Sequence, residues 1–167
     1  MIQSNEMKQT KKKGNEIPQG GSTANKQGKV LENLVRHVVT SHGYAEMSYD
    51  EWIKCGEPLK SLVSSVPYTT IYGTRGRTEF LLIDEENKKI RIECKWQQSS
   101  GSVDEKYPYT YECMTNVPEE TVIILLDGGG YKKQARDWLK QKCDTCNTKE
   151  IKLFDMKEFV KWANKIL

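Results

Sequence analysis

The segment IRIECKWQQ, residues 90–98, has the alternating pattern of a β-strand. Between Ile90 and Trp96 the even-numbered residues are apolar and the odd-numbered residues are polar, so one face of the strand can be buried. Its polar face presents Glu93 and Lys95 two residues apart, followed by Gln97. An acid and a lysine at the end of an apolar strand indicate a candidate site. A solvated strand face can carry the same pair, so the interpretation depends on the surrounding sequence.

Composition and length describe an ordinary globular chain. The 167 residues suffice for one domain with a hydrophobic core, and the net charge of +3 does not by itself indicate a nucleic-acid-binding protein. The longest apolar runs, such as Val122–Leu126, are too short to span a bilayer. Because the N-terminus also lacks an apolar signal segment, we expect a cytoplasmic protein with no membrane partner.

The five cysteines are an odd number, and most lie in or beside apolar segments, so we expect reduced thiols. Cys143 and Cys146 form a CxxC motif. A zinc site would need two more ligands at suitable spacing, and the chain has only two histidines, His37 and His42. The motif is therefore interpreted as two unrelated thiols in a loop.

Residues 1–27 are polar and lack periodicity, which predicts a disordered basic N-terminal tail. A folded domain is expected over residues 28–167. Its first element is a helix of about 14 residues, because apolar residues recur at helical spacing from Val30 to Val39 and Gly43 follows as a stop signal. Glu32 lies early on this helix.

The segment before residue 90 predicts a β-hairpin. Glycines and prolines between residues 55 and 76 indicate a loop with a short strand at 68–72. A strand over residues 77–84 and a turn over 85–89 then lead into the antiparallel strand of Glu93. A turn of odd length places Glu79 across from Glu93 or Lys95, whereas one of even length places Asp84 on that face. The sequence leaves both registers open.

The rest of the chain alternates between helices and strands. A helix is expected within residues 103–114, with Pro108 near its start, and residues 121–126 have the composition of a buried strand. A helix from Tyr131, a strand at 151–154 and a final helix capped by Asp155 complete the pattern. This order predicts an α/β sandwich with a central mixed β-sheet and helices on both faces, a three-layer αβα architecture.

Two carboxylates and a lysine that converge on a strand pair are suited to metal-assisted hydrolysis. Mg²⁺ prefers oxygen ligands, which Glu79, Glu93 and the backbone carbonyl of Cys94 can supply. Lys95 can orient or help to deprotonate the attacking water and can stabilise developing negative charge. Glu32 can join this set from the first helix, directly or through water.

These pieces resemble the PD-(D/E)xK nuclease superfamily, which has the restriction-endonuclease-like fold. The resemblance covers roughly residues 28–167 and depends on the order of an acidic first helix, a hairpin with an acid, and an acid–lysine pair on its second strand. One position departs from the family pattern, because Thr78–Glu79 stands where the family usually has proline and aspartate. This departure keeps Asp84 as the alternative metal ligand. The matching pieces are residues 28–32, 43–44, 76–80, 92–97 and 127–131.

The resemblance implies cleavage of DNA phosphodiester bonds that depends on Mg²⁺, with Mn²⁺ as a substitute. The features look most like a restriction-type endonuclease, with nucleases of repair, recombination and mobile elements close by. A non-catalytic member of the same fold that binds DNA or protein is the alternative, and double-strand cleavage would require a homodimer. Gln97 is expected to hold a substrate phosphate or the attacking water. The candidate DNA-binding residues are Ser99, Ser100, Ser102, Lys106, Tyr131, Lys132 and Lys133.

Overall fold

The computed structural model describes residues 20–98 and 104–167, with side chains from Lys29 onward. From residue 104 onward the described helices and strands follow the predicted order, and a single 3₁₀ turn, Asp104–Lys106, precedes the third helix. The helices are α1 (Gly20–Ser41), α2 (Tyr49–Lys54), α3 (Tyr107–Asn116), α4 (Lys133–Asp144) and α5 (Met156–Ile166). The strands are β1 (Ala45–Ser48), β2 (Ser61–Thr69), β3 (Arg75–Ile83), β4 (Lys89–Trp96), β5 (Thr121–Asp127) and β6 (Glu150–Phe154).

The strands form one mixed sheet in the order β1-β2-β3-β4-β5-β6. Strands β2, β3 and β4 are antiparallel neighbours, whereas β1 pairs parallel with β2, and β4, β5 and β6 run parallel. Helices α1 and α5 cover one face of the sheet, and α2, α3 and α4 cover the other. The predicted three-layer αβα sandwich is therefore confirmed.

The alternation along β4 divides its side chains between two layers. Ile90, Ile92 and Cys94 pack into the cluster formed with α1 and α5. The odd-numbered residues point to the opposite face, where Arg91 and Glu93 are buried polar groups. The polar face of β4 is therefore covered by protein and not exposed to solvent. Because a buried charge is costly without a partner, the charged groups on this face need partners.

The predicted loop over residues 55–76 is wrong, because the nine-residue strand β2 occupies much of it. Leu62 and Val63 are fully buried between neighbouring strands. Pro67 is compatible with this strand because β1 pairs with β2 only as far as Ser64, so Pro67 lies where β2 is an edge strand. The expected strand at 68–72 corresponds to the end of β2 and the tip of the β2–β3 hairpin.

Two further expectations concern the ends of the chain. Helix α1 begins at Gly20, earlier than the predicted start at Gly28. The predicted tail over residues 1–27 lies outside the described residues up to position 19. The final helix carries the predicted cap, in which the Asp155 carboxylate accepts a hydrogen bond from the Glu158 N–H and Glu158 returns one to Asp155.

All five cysteines, each within the described residues, are free thiols. No helix in the described part of the chain is long and apolar enough to cross a membrane.

Candidate active site

The sheet is interrupted at Glu79. In the β2–β3 ladder Ser64 pairs with Phe80 and Val66 with Thr78, so Ser65 lies across from Glu79 without being paired to it. Ser65 has a φ of 57°, in the left-handed region that non-glycine residues rarely adopt. The β3–β4 ladder ends at the pair Phe80–Ile92, one position before Glu79. Local strain of this kind often marks functional positions.

The interruption brings Glu79 and the polar face of β4 together. The N–H of Cys94 donates a hydrogen bond of 2.8 Å to Oε2 of Glu79. The ammonium of Lys95 donates to Oε1 of Glu93, and Glu93 is only 5% exposed. Within the described residues Oε2 of Glu93 is buried and has no hydrogen-bond partner. A buried carboxylate oxygen without a partner is costly, so this site has an unused capacity to bind a donor or a cation.

The charges in this cluster are coupled. Burial raises the pKa of the Glu79 carboxyl to about 7, and the negative charge of Glu93 adds to the rise. For Lys95, burial lowers the pKa, but the carboxylates of Glu93 and Glu79 outweigh that effect and raise it above its ordinary value. Lys95 therefore keeps its proton at neutral pH, through its contact with Glu93 and the nearby charge of Glu79.

The structure selects one of the two hairpin registers. Phe80 pairs with Ile92 and Ile83 with Lys89, which places Glu79 opposite Glu93. Asp84, the alternative metal ligand, lies at the other end of β3. Its Oδ1 accepts hydrogen bonds from the N–H groups of Glu86 and Lys88, at 2.9 and 2.7 Å. Asp84 is a turn residue about 15 Å along the strand from Glu79, so the structure does not bring it to Glu93. Which acid binds the metal stays a prediction.

Glu32 is not brought into contact with the acid–lysine pair. Helix α1 packs against the face of β4 that carries Cys94, opposite the face of Glu93. The Glu32 carboxylate instead lies 3.4 Å from Nη1 of Arg36 on the same helix. Burial raises the pKa of the Cys94 thiol, and Glu32 contributes to that rise after Glu79 and Glu93. Within the described residues Glu32 thus contacts Arg36 and not Glu79, Glu93 or Lys95, and its role at the site stays a prediction.

Gln97 anchors loops and does not face an open site. Its side chain is 2% exposed; Nε2 donates to Oδ1 of Asp104 at 3.0 Å and Oε1 accepts from the Tyr107 hydroxyl at 2.6 Å. Its carbonyl also accepts from the N–H of Gly130. Gly128 has a φ of 111°, and a Cβ there would lie 2.3 Å from the Gln97 carbonyl oxygen, so glycine is required for this approach.

A cleft of about 360 Å³ opens above the acid–lysine pair. Glu93 and Lys95 line it from β4, and Arg75 and Arg77 line it from the start of β3. Tyr68 forms another wall, with its ring over Gly76, where a Cβ would approach within 2.7 Å. A cavity of about 450 Å³ at the opposite end of the hairpin contains none of these groups. Its greater volume therefore does not make it the candidate site.

Several residues in this cleft were not identified from the sequence. Arg77 lies two positions before Glu79, where the alternation of β3 is broken, because Thr78 and Leu81 both lie on the face of Arg91 although they are three positions apart. No regular period in the sequence therefore pointed to Arg77. Tyr68 and Tyr109 carry no comparable local signal, because their position depends on β2 and α3 meeting across the sheet.

The predicted DNA-binding residues separate into three groups. Lys106 lines the cleft beside Tyr109. Lys133 is exposed and pairs with Asp137 at 2.7 Å, and neither it nor Lys132 or Tyr131 lines the cleft. Ser99, Ser100 and Ser102 lie outside the described residues.

The site fits a hard divalent cation by its chemistry. Glu79 and Glu93 present carboxylate oxygens, one of which is buried without a partner in the described residues. No group of three or more His, Cys, Asp or Glu side chains in that part of the chain could hold a metal ion. Mg²⁺ does not need such a group, because it commonly uses one or two carboxylates and retains several waters. The third predicted metal ligand is the backbone carbonyl of Cys94. The N–H of the same residue donates a hydrogen bond to Glu79, so Cys94 lies next to that carboxylate.

Comparison with known proteins identifies the family of this chain. Residues 23–167 match the model of a PD-(D/E)XK nuclease superfamily domain. The chain therefore belongs to the PD-(D/E)XK nuclease superfamily, a group of hydrolases whose substrates are nucleic acids. No curated protein matches its sequence.

Proposed function

We propose that this protein is a divalent-metal-dependent DNA endonuclease that hydrolyses phosphodiester bonds, of the restriction type or related to nucleases of repair, recombination or mobile elements. The observation that carries the proposal is the buried Glu93 carboxylate, which has one oxygen on Lys95 and the other without a partner among the described residues. A binding module has no need for this arrangement, because a partly satisfied buried charge costs stability.

Glu79, Glu93 and the carbonyl of Cys94 are the groups that would hold Mg²⁺, with Mn²⁺ as a substitute. When bound, the ion supplies Lewis acidity and lowers the pKa of a coordinated water. Its positive charge would offset the repulsion between the two carboxylates that contributes to the raised pKa of Glu79.

Lys95 and the neighbouring arginines account for the remaining chemistry. Lys95 borders the cleft as an ammonium, so it can donate a hydrogen bond to a phosphate oxygen as negative charge develops there. Arg75 and Arg77 line the same cleft and would hold the flanking backbone phosphates. Gln97 is enclosed by Asp104 and Tyr107, so its role in this proposal is to position these two residues and not to bind the phosphate.

Cleavage assays with purified protein test the proposal. Linear duplex, nicked, branched and single-stranded DNA are incubated with Mg²⁺, with Mn²⁺ or with EDTA, and the ends produced are sequenced. We expect cleavage with either metal and none with EDTA. Substitution Lys95→Ala is expected to reduce the rate about 10²- to 10³-fold, because it removes a donor aimed at developing charge.

Lys140→Ala is the matched control, because Lys140 is half exposed and pairs with Asp144 on α4, away from the cleft. This variant should cut like the unmodified protein. A folded protein that cuts none of these substrates with either metal contradicts the proposal. DNA binding that is insensitive to metal and to Glu93→Gln would instead support a non-catalytic member of the fold. Paired cuts on both strands together with a dimeric mass in solution would support the predicted homodimer.

A further inference from the structure

Two tyrosines form an exposed stack at the rim of the cleft. Tyr72, at the tip of the β2–β3 hairpin, is 76% exposed. Its ring stacks on that of Tyr109 from α3, with centroids 5.4 Å apart and an interplanar angle of 26°. Such a large exposed aromatic surface needs an explanation, because burying an aromatic side chain is a major source of folding free energy. Tyr109 itself lines the cleft of Glu93 and Lys95.

The hairpin tip holds Tyr72 in a defined position. The N–H of Thr70 donates to the carbonyl of Thr74 at 2.8 Å, and the two threonine hydroxyls are hydrogen-bonded at 2.7 Å. Gly73 has a φ of 73°, which suits the tight turn between them. A closed tip of this kind presents the ring of Tyr72 without a large entropy loss on binding.

The charged side chains beside this stack are positive and make no ion pairs within the described residues. Arg75, Arg77 and Lys106 line the same cleft as Tyr109. None of the three makes an ion pair with another residue in the described ranges 20–98 and 104–167. An aromatic surface flanked by free guanidinium groups is complementary to a nucleic-acid strand, whose bases stack and whose phosphates are anionic.

We infer that Tyr72, Tyr109, Arg75 and Arg77, here called the hairpin platform, bind an unpaired stretch of DNA next to the cleavage site. A base can stack on an aromatic side chain only when its own faces are not covered by neighbouring base pairs, so the platform selects single-stranded or branched DNA over continuous duplex. The inference rests on the proposed function and names the substrate class for that site.

Binding measured without catalysis tests the inference. Fluorescence anisotropy in EDTA buffer gives the Kd of a labelled single strand, a forked duplex with unpaired arms, and a blunt duplex of the same sequence. The unmodified protein should bind the single strand and the fork more tightly than the duplex. Tyr72→Ala should weaken binding to those two about tenfold and leave duplex binding nearly unchanged, because it removes one stacking contact.

Two matched variants separate stacking from other effects. Tyr72→Phe keeps the ring and should bind like the unmodified protein. Arg77→Ala should weaken binding to all three DNAs to a similar extent, because phosphate contacts do not distinguish paired from unpaired strands. Thermal unfolding of each variant identifies a loss of fold. If Tyr72→Ala is unstable, Tyr72→Leu replaces it, because leucine keeps an apolar side chain but has no ring on which a base can stack, and the same selective loss is expected.

The outcomes also distinguish this inference from the proposed function. Equal or tighter binding to the blunt duplex, or an equal loss for all three DNAs in Tyr72→Ala, overturns the inference even if the protein cuts DNA with Mg²⁺. Selective binding of unpaired DNA through Tyr72 without any cleavage supports the inference and contradicts the proposed activity. A protein that neither binds nor cuts any of the three DNAs contradicts both.

Discussion

Strand β4 carries two ion pairs on one face, two residues apart. They differ in how many of their polar atoms have hydrogen-bond partners. Arg91 pairs with Glu119, and Glu93 pairs with Lys95. Both acids are less than 10% exposed. The two pairs have similar chemistry and the same sheet face, so the difference between them reflects their surroundings.

The Arg91–Glu119 pair is saturated. The guanidinium donates to both carboxylate oxygens of Glu119, at 2.6 and 2.8 Å, and its third nitrogen donates to Oγ1 of Thr78 at 3.0 Å. This bidentate geometry leaves no capacity for a ligand. The pair links β4, through Arg91, to the segment before β5 and to β3.

The Glu93–Lys95 pair is unsaturated. One oxygen of Glu93 has no partner in the described part of the chain, and the charge of a second carboxylate, Glu79, is close enough to raise the pKa of Lys95. The comparison shows that burial of a charged pair does not by itself identify a functional site. The useful signs are an unused oxygen, a neighbouring like charge and access to a cleft.

The largest expected effect comes from breaking the saturated pair. Arg91→Met should lower the free energy of unfolding by about 3–5 kcal/mol, because it leaves the Glu119 carboxylate buried without its counter-ion. Urea denaturation followed by circular dichroism measures this change. Lys89→Met on the same strand is the control, because Lys89 pairs with Glu57 at 3.8 Å near the surface and should contribute at most about 1 kcal/mol. Equal losses in the two variants would refute the distinction between the pairs.

The second expected effect concerns the Glu93–Lys95 pair, where we expect a loss of cleavage and almost no loss of stability. Glu93→Gln should reduce DNA cleavage by on the order of 10²-fold or more, because it removes a proposed metal-binding oxygen. In EDTA its free energy of unfolding should change by less than about 1 kcal/mol, because loss of the contact with Lys95 and relief of repulsion with Glu79 oppose each other.

Unfolding in EDTA and in Mg²⁺ sharpens this test. An ion at ten times its Kd should stabilise the unmodified protein by about 1.4 kcal/mol and Glu93→Gln by much less. A large stability loss in EDTA with unchanged cleavage would place Glu93 among the structural residues instead.

The smallest expected effect tests the hairpin register. Asp84→Ala should lower the free energy of unfolding by about 1 kcal/mol, because two backbone N–H groups in the turn lose their acceptor, and cleavage by the folded protein should remain unchanged. Glu86→Ala in the same turn is the control, since no hydrogen bond of its side chain is present in the described residues. A hundredfold loss of cleavage in Asp84→Ala would reverse the assignment of Glu79.

Some elements could be predicted from the sequence because their signals are local. The alternation of β4 assigned Glu93 and Lys95 to one face, and Asp155 marked the start of α5. By contrast, β2 was missed because it contains Pro67 and is flanked by Gly56, Pro58 and Gly73, a composition that resembles a loop. Its stability comes from β1 and β3 on either side, which no local pattern reports.

By itself, the sequence determined which side chains of β4 share a face, where the final helix begins, and that an acid and a lysine meet on β4. Only the tertiary structure decided that Glu79 and not Asp84 faces Glu93, that Gln97 is enclosed by Tyr107 and Asp104, and that Tyr72 meets Tyr109. The physical reason is that alternation and capping depend on neighbours along the chain. Hairpin register and cleft walls depend on turn hydrogen bonds and packing between segments that are distant in sequence.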